Sequence, residues 1–225
     1  MNYIDANRRA YNLLANEYDS REHEIGDDFW LKIYDELKLK DKTCYKVLEI
    51  GPGNGRNIGV MKRYNSNFNI TAIELSENLC GILRKNYRDI TIINQNILEV
   101  ESQSEKYDLI VAIALIHLFP SEDAKKVLKI IRNMLKDDGY LLIGTTINKE
   151  ETEGYYEKED YNIKVQRFRH KYTKESFEQL LTECGFKIFK PYIVTEKARA
   201  KTWYDIVVVK DWHTFKSIEE WIFCN

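Results

Sequence analysis

The chain is poor in the residues that punctuate or staple small folds: three prolines, four cysteines, four histidines and three methionines. Cys44, Cys80, Cys184 and Cys224 form no C-x-x-C pair, and no His/Cys group has zinc-ligand spacing, so a disulfide scaffold or metal centre is not expected and the thiols read as reduced. No long apolar run is present either. The longest, Leu109 to Phe119, has eleven residues including His117, against the roughly 20 that a spanning helix needs. It reads as a buried strand and the short segment beyond its end. The first residues lack a stretch of signal-peptide length, which leads to an expectation of a cytoplasmic protein without membrane contact. Charge of one sign is also missing: the net formal charge is −2, which disfavours a nucleic-acid binder while allowing a local basic patch.

What is present is ample core material, 44% hydrophobic residues in 225, with 31% charged residues to solvate it. That amount fits one domain with elaborations. Two helical patterns come first, with Tyr11, Leu14, Ala15 and Tyr18 on one face and Trp30, Ile33, Tyr34 and Leu37 on another. Short apolar strands then alternate with helices: Lys46–Ile50, Asn69–Glu74, a helix from Ser76 to Tyr87, Ile90–Asn94, Tyr107–Ile113, a helix from Ser121, a turn at 137–139, and Tyr140–Thr145. This alternation predicts an α/β fold with a parallel sheet covered by helices on both faces. The predicted organisation is a single domain. It has an N-terminal helical cap (1–40), an alternating strand–helix core (41–145), an insertion that breaks the rhythm (146–172), a helix and strands (173–210) and an aromatic tail (211–225). Strands are expected at Phe186–Phe189 and Trp203–Val209.

The first strand runs into Gly51-Pro52-Gly53-Asn54-Gly55, and Glu74 closes the second strand about 20 residues on. A glycine turn lets backbone approach a ligand, and the acid can accept from both ribose hydroxyls. Arg56 occupies the third glycine position of a dinucleotide fingerprint, and Glu49 would repel a pyrophosphate but suit an ammonium. An adenine nucleoside with an α-ammonium and no phosphate is S-adenosylmethionine.

The stretch Val47–Gly55 resembles the first motif of the class I S-adenosylmethionine-dependent methyltransferases, and Ile73-Glu74-Leu75-Ser76 their second. The resemblance implies a Rossmann-like sheet of seven mostly parallel strands with an antiparallel last strand. It implies donor contacts from Tyr11, Tyr18, Glu49, Gly51, Pro52, Gly53, Asn54, Gly55, Glu74, Leu75, Asn96, Ile97, Ala112 and Ile113, with S-adenosylhomocysteine as product. Asn96 stands where the family usually has an acid reading the adenine amino group, and its amide oxygen would keep that hydrogen bond. His117 is the candidate catalytic residue, just beyond the fourth strand.

The insertion carries an acidic stretch, 149–160, and a basic one, 164–174. Arg167 and Arg169 would share one side of an extended strand, matched to a carboxylate or phosphate. With His170, Tyr155 and Tyr156 they are the candidate acceptor-binding residues; pairing of the basic stretch with the acidic one is the competing expectation. The function expected is methyl transfer to O or N of a small anionic molecule by a monomer or homodimer. RNA methylation, including that of tRNA, and non-catalytic cofactor binding are the alternatives.

Overall fold

The computed structural model describes residues 2–20, 24–100, 105–158 and 161–211. The expected aromatic tail, Asp211 apart, lies outside them.

Helix α1 (Tyr3–Asp19) starts at Asn2, whose side chain accepts from the Asp5 N–H at 2.8 Å. Helix α2 (Asp27–Glu36) buries Trp30, Ile33 and Tyr34. The alternating core comes next: β1 (Lys46–Ile50), α3 (Arg56–Tyr64), β2 (Asn69–Glu74), α4 (Glu77–Asn86) capped by Ser76, β3 (Thr91–Asn94), β4 (Tyr107–Ile113), α5 (Ser121–Met134) and β5 (Leu135–Ile147). A hairpin, β6 (Thr152–Glu157) and β7 (Gln166–Lys171), precedes α6 (Lys174–Glu183), β8 (Phe186–Glu196) and β9 (Lys201–Lys210).

The main sheet has the order β3-β2-β1-β4-β5-β9-β8. Its first five strands are parallel, and β9 runs antiparallel to both β5 and β8. Alternate side chains feed two cores. Leu48, Ile110, Leu141 and Ile206 meet Leu128 and Ile131 of α5 and Phe177 and Leu181 of α6. Val47, Val111, Leu142 and Val207 meet Ile33 and Tyr34 of α2 and Ile58 and Met61 of α3. Each fully buried aliphatic side chain contributes roughly 1.5–3 kcal/mol. Strand order reverses between β1 and β4, so a crevice opens beyond their carboxyl ends.

Three local expectations change. The turn foreseen at 137–139 is absorbed into β5 as a bulge: Leu135 pairs with Tyr107, yet Tyr140 already pairs with Leu109. Asp137 on the bulge takes the Lys210 ammonium at 3.0 Å. Strand β8 extends to Glu196, well past Phe189, because it lies at the sheet edge, where Pro191 is tolerated. The Arg-x-Arg segment does form a strand, but as part of a separate two-stranded sheet.

Candidate functional site

At the end of β1 the backbone takes positive φ at Gly51, Gly53 and Gly55 (69°, 61° and 82°). A β-carbon at Gly55 would come within 2.6 Å of Leu83 and Tyr87, so the turn requires glycine there. Glu74, at the end of β2, accepts from the Gly53 N–H at 3.2 Å and the Ser76 N–H at 2.9 Å. Burial pushes its carboxyl up to about 7. Gly51, Ile73, Glu74, Leu75, Asn96 and Ile97 line a cavity with about 770 Å³ of atom-free space including its mouth, the size of a small-ligand pocket. The Asn96 side-chain oxygen accepts from the Leu98 N–H at 3.2 Å, leaving that oxygen a second lone pair.

Helix α1 roofs this cavity. Asn7 donates to the Leu118 carbonyl at 2.9 Å and accepts from the Phe168 N–H at 2.9 Å. Asn12 accepts from the Ser76 hydroxyl at 2.6 Å. Tyr11 and Tyr18 hang from this roof between the first cavity and a second one, lining both with Ile113 and Ala114. Ala114 holds a left-handed backbone, φ 57°, a strain typical of functional turns.

The second cavity lies on the α2/α3 face of the sheet. Glu49, Asn54 and Asn57 border it near β1, His117 and Thr146 near β4 and β5, and Trp203 and Asp205 on β9; Lys158, Tyr161, Arg167 and Arg169 come from the insertion. His117 is buried, with Nδ1 3.0 Å from Thr145 Oγ1. Burial first, then Arg169, Arg167, Lys158 and Lys201, hold its pKa well below the usual histidine value, so the ring is neutral. Glu49 Oε2, Asp205 Oδ1 and Arg167 Nη1 are buried with no hydrogen-bond partner among the described residues. Burial lifts both carboxyls to about 8. Tyr18 stacks on Tyr161 with centroids 6.1 Å apart, and Lys158 Nζ sits 4.6 Å from the Tyr161 ring.

The structure therefore brings Tyr11, Tyr18, Glu49, Gly51, Asn54, Glu74, Leu75, Asn96, Ile97, Ile113, His117, Arg167 and Arg169 to the two cavities. Pro52, Gly53 and Gly55 shape the turn behind them. Ala112 faces the core under the sheet. Tyr155 is half exposed and packs on Phe168, while the Tyr156 ring lies under Lys171. His170 points from the other face of β7, its Nε2 2.7 Å from Glu151, and borders a separate cleft with Tyr172. The acid–base pairing anticipated within the insertion thus involves His170, and Lys164 with Glu157 at 3.9 Å. Arg167 and Arg169 line the second cavity. Sequence reasoning missed Trp30, Asn57, Ala114, Lys158, Trp203 and Asp205. Asp205 carried a signal, as the one acid inside the apolar run Trp203–Val209.

A family model described as a methyltransferase domain matches residues 20–190. Among curated relatives, a highly reducing polyketide synthase of Gibberella fujikuroi is 33% identical over 125 residues, covering 48% of this chain and 5% of that protein. The chain thus spans a small part of that relative's length. Among solved structures, an S-adenosylmethionine-dependent methyltransferase from Clostridium acetobutylicum aligns with TM-score 0.69 at 16% identity, over 90% of this chain and 99% of its own. The Burkholderia thailandensis 1,6-didemethyltoxoflavin-N1-methyltransferase, solved with 1,6-didemethyltoxoflavin and S-adenosylhomocysteine bound, aligns with TM-score 0.73 at 14% identity, over 93% and 89%. These likenesses bear out the Rossmann-like fold expected from the motifs.

Proposed function

The chain belongs to the methyltransferase-domain family, and from that premise we propose that it moves a methyl group from S-adenosylmethionine to N or O of a small anionic acceptor. The donor, when bound, supplies an electrophilic methyl on a sulfonium. The residues present fit it. Glu74 and Asn96 line the first cavity, where they would take the ribose hydroxyls and the adenine amino group. Glu49 offers a buried, unpartnered oxygen to an ammonium at the β1 side of the second cavity.

The observation that carries the acceptor class is the placement of Arg167 and Arg169 on one side of β7, lining the cavity that also holds His117. Arg167 is 6% exposed and keeps Nη1 without a partner, a geometry that favours an incoming carboxylate or phosphate. Neutral His117 lines the same cavity. Alignment of donor and nucleophile under the α1 roof, with water excluded, supplies much of the rate.

The test begins with calorimetry of S-adenosylmethionine, S-adenosylhomocysteine and NAD against wild type and Glu74→Ala. Micromolar binding of the adenosyl pair, weakened in the variant and absent for NAD, supports the donor; NAD binding alone overturns it. For the acceptor, Arg167→Ala/Arg169→Ala should raise KM at least tenfold for any acid found to be methylated, with S-adenosylhomocysteine affinity intact. Unchanged acceptor kinetics would remove the arginines from the site.

A further inference from the structure

We propose that the acceptor is an amine with an anionic group a few bonds away, and that Asp205 binds the nitrogen receiving the methyl group while Arg167 and Arg169 bind the anion. This rests on the methyltransferase reading above and goes further by choosing nitrogen and naming a residue for it.

Two orphaned groups of opposite sign face one cavity. Among the described residues, Asp205, 1% exposed, has Oδ1 unpartnered, and Arg167, 6% exposed, has Nη1 unpartnered. Each is costly to leave unsatisfied, and one bifunctional ligand would satisfy both. The fold makes room for the carboxyl. Gly144 on β5 pairs with Asp205 on β9. A β-carbon at Gly144 would overlap that carboxyl and come within 3.1 Å of Ile113 Cδ1. The acid therefore reaches across β5 towards Ile113, which lines both cavities.

The cationic end is fixed one pleat repeat away. Arg169 Nη2 donates to Thr146 Oγ1, and Thr146 pairs with Trp203, two residues before Asp205. That offset is roughly 7 Å along the strand, a span suited to a short molecule with both groups. The Trp203 indole, which donates to Glu196 Oε2 at 3.2 Å, lines the same cavity. Glu49 already answers the single ammonium of the donor, so Asp205 is left for a second one.

An ammonium has no lone pair, so the nitrogen must lose a proton before it attacks. Docking the ammonium first expels the proton that Asp205 largely holds at pH 7, as at Glu49, and the nitrogen's proton then passes to the carboxylate so formed. The nitrogen pair then forms the N–C bond, and the electron pair of the breaking S–C bond stays on sulfur, cancelling the sulfonium charge. The products are the N-methylated amine, carrying one proton as its ammonium, and S-adenosylhomocysteine. The proton on Asp205 leaves to solvent. Burial raises the acid towards the range where it accepts a proton from a cavity-bound ammonium.

The experiment follows release of S-adenosylhomocysteine over matched probes: amino acids and amino phosphates of two to four carbons, the hydroxy acids and hydroxy phosphates of the same shapes, and the corresponding amines without an acidic group. Binding of S-adenosylhomocysteine is measured in parallel. The expected result is methylation confined to probes with both groups. Asp205→Asn should cut kcat/KM for them by about 100-fold, with S-adenosylhomocysteine affinity within twofold. Asp205→Glu should recover part of the rate. Methylation of the hydroxy acids, methylation of the simple amines at equal rate, full activity of Asp205→Asn, or no turnover of any amine-acid probe each overturns the proposal. Loss of S-adenosylhomocysteine binding by the wild type would instead overturn the methyltransferase reading itself.

Discussion

Glu74 accepts a hydrogen bond from the Gly53 N–H at 3.2 Å, tying the end of β2 to the glycine turn after β1. The side chain assigned to the ribose is thus also a brace for the loop beside it. Glu74→Gln keeps an acceptor for that N–H, whereas Glu74→Ala removes the brace and leaves buried N–H groups unpaired. The glutamine variant should weaken S-adenosylhomocysteine about 10-fold or more with little change in Tm; the alanine variant should weaken it further and lose about 1–3 kcal/mol of stability. Calorimetry with thermal unfolding separates the two effects. Equal Tm losses in both variants would mean that the brace depends on charge.

Glu49 makes a second prediction. Its buried carboxyl has a pKa of about 8, so at pH 7 it is largely protonated in the free protein. Docking an ammonium against it favours the carboxylate and expels that proton. Binding of S-adenosylmethionine at pH 7 should release protons, seen as an enthalpy that differs between buffers of different ionisation heat, and affinity should climb from pH 6 to 8. Glu49→Gln should remove the Glu49 share of that release. Buffer-independent enthalpies in the wild type would count against the assignment.

The buried acids also set the pH dependence of stability. A carboxyl whose pKa rises on folding holds a proton that the unfolded chain has already released. Between the unfolded value, about 4, and the folded values of about 7 to 8 for Glu74, Glu49 and Asp205, stability therefore falls as pH rises. The ligand-free protein should have a higher Tm at pH 5.5 than at pH 8.5, other titrations being equal. Asp205→Asn should be near neutral at low pH and stabilising by on the order of 5 kcal/mol at pH 8.5, the shift from about 4 to about 8 taken at roughly 1.4 kcal/mol per unit. A variant no more stable than wild type at pH 8.5 would show that Asp205 carries no desolvation penalty.

Much of this architecture was legible because the signals are local. The glycine turn, Glu74, the Ser76 cap and the apolar strands each declare themselves within a few residues. The Arg-x-Arg spacing likewise put both guanidiniums on one side of a strand. What sequence could not supply was which side of the hairpin faced the cavity. Tyr155 and His170 therefore drew assignments that their positions do not favour, while Tyr156, the cross-strand partner of Arg167, shares the arginines' side of the hairpin but packs under Lys171 outside the cavity lining. Asp205 escaped for another reason: its role depends on Gly144, 61 residues earlier, leaving space on the neighbouring strand. Edge strand β8 outran its expected length because pairing with β9 overrides the weak propensity around Pro191.

The α1 roof gives the last prediction. Asn7 is 3% exposed and joins three elements through one amide, donating to the Leu118 carbonyl after β4 and accepting from the Phe168 N–H of β7. Asn7→Ala leaves both backbone groups without that partner, a loss of about 1–3 kcal/mol concentrated where α1 meets the insertion. The core beneath does not depend on this contact, so the damage should be local opening of α1 rather than global unfolding. Tyr11 and Tyr18 ride on that helix and line both cavities. Hydrogen exchange should therefore show faster exchange in α1 and β7 with β1 and β4 unchanged, and S-adenosylhomocysteine should bind about tenfold more weakly. Saturating ligand should restore much of the α1 protection, because binding beneath the helix favours its docked state. Uniformly faster exchange across the sheet would assign Asn7 to global stability instead.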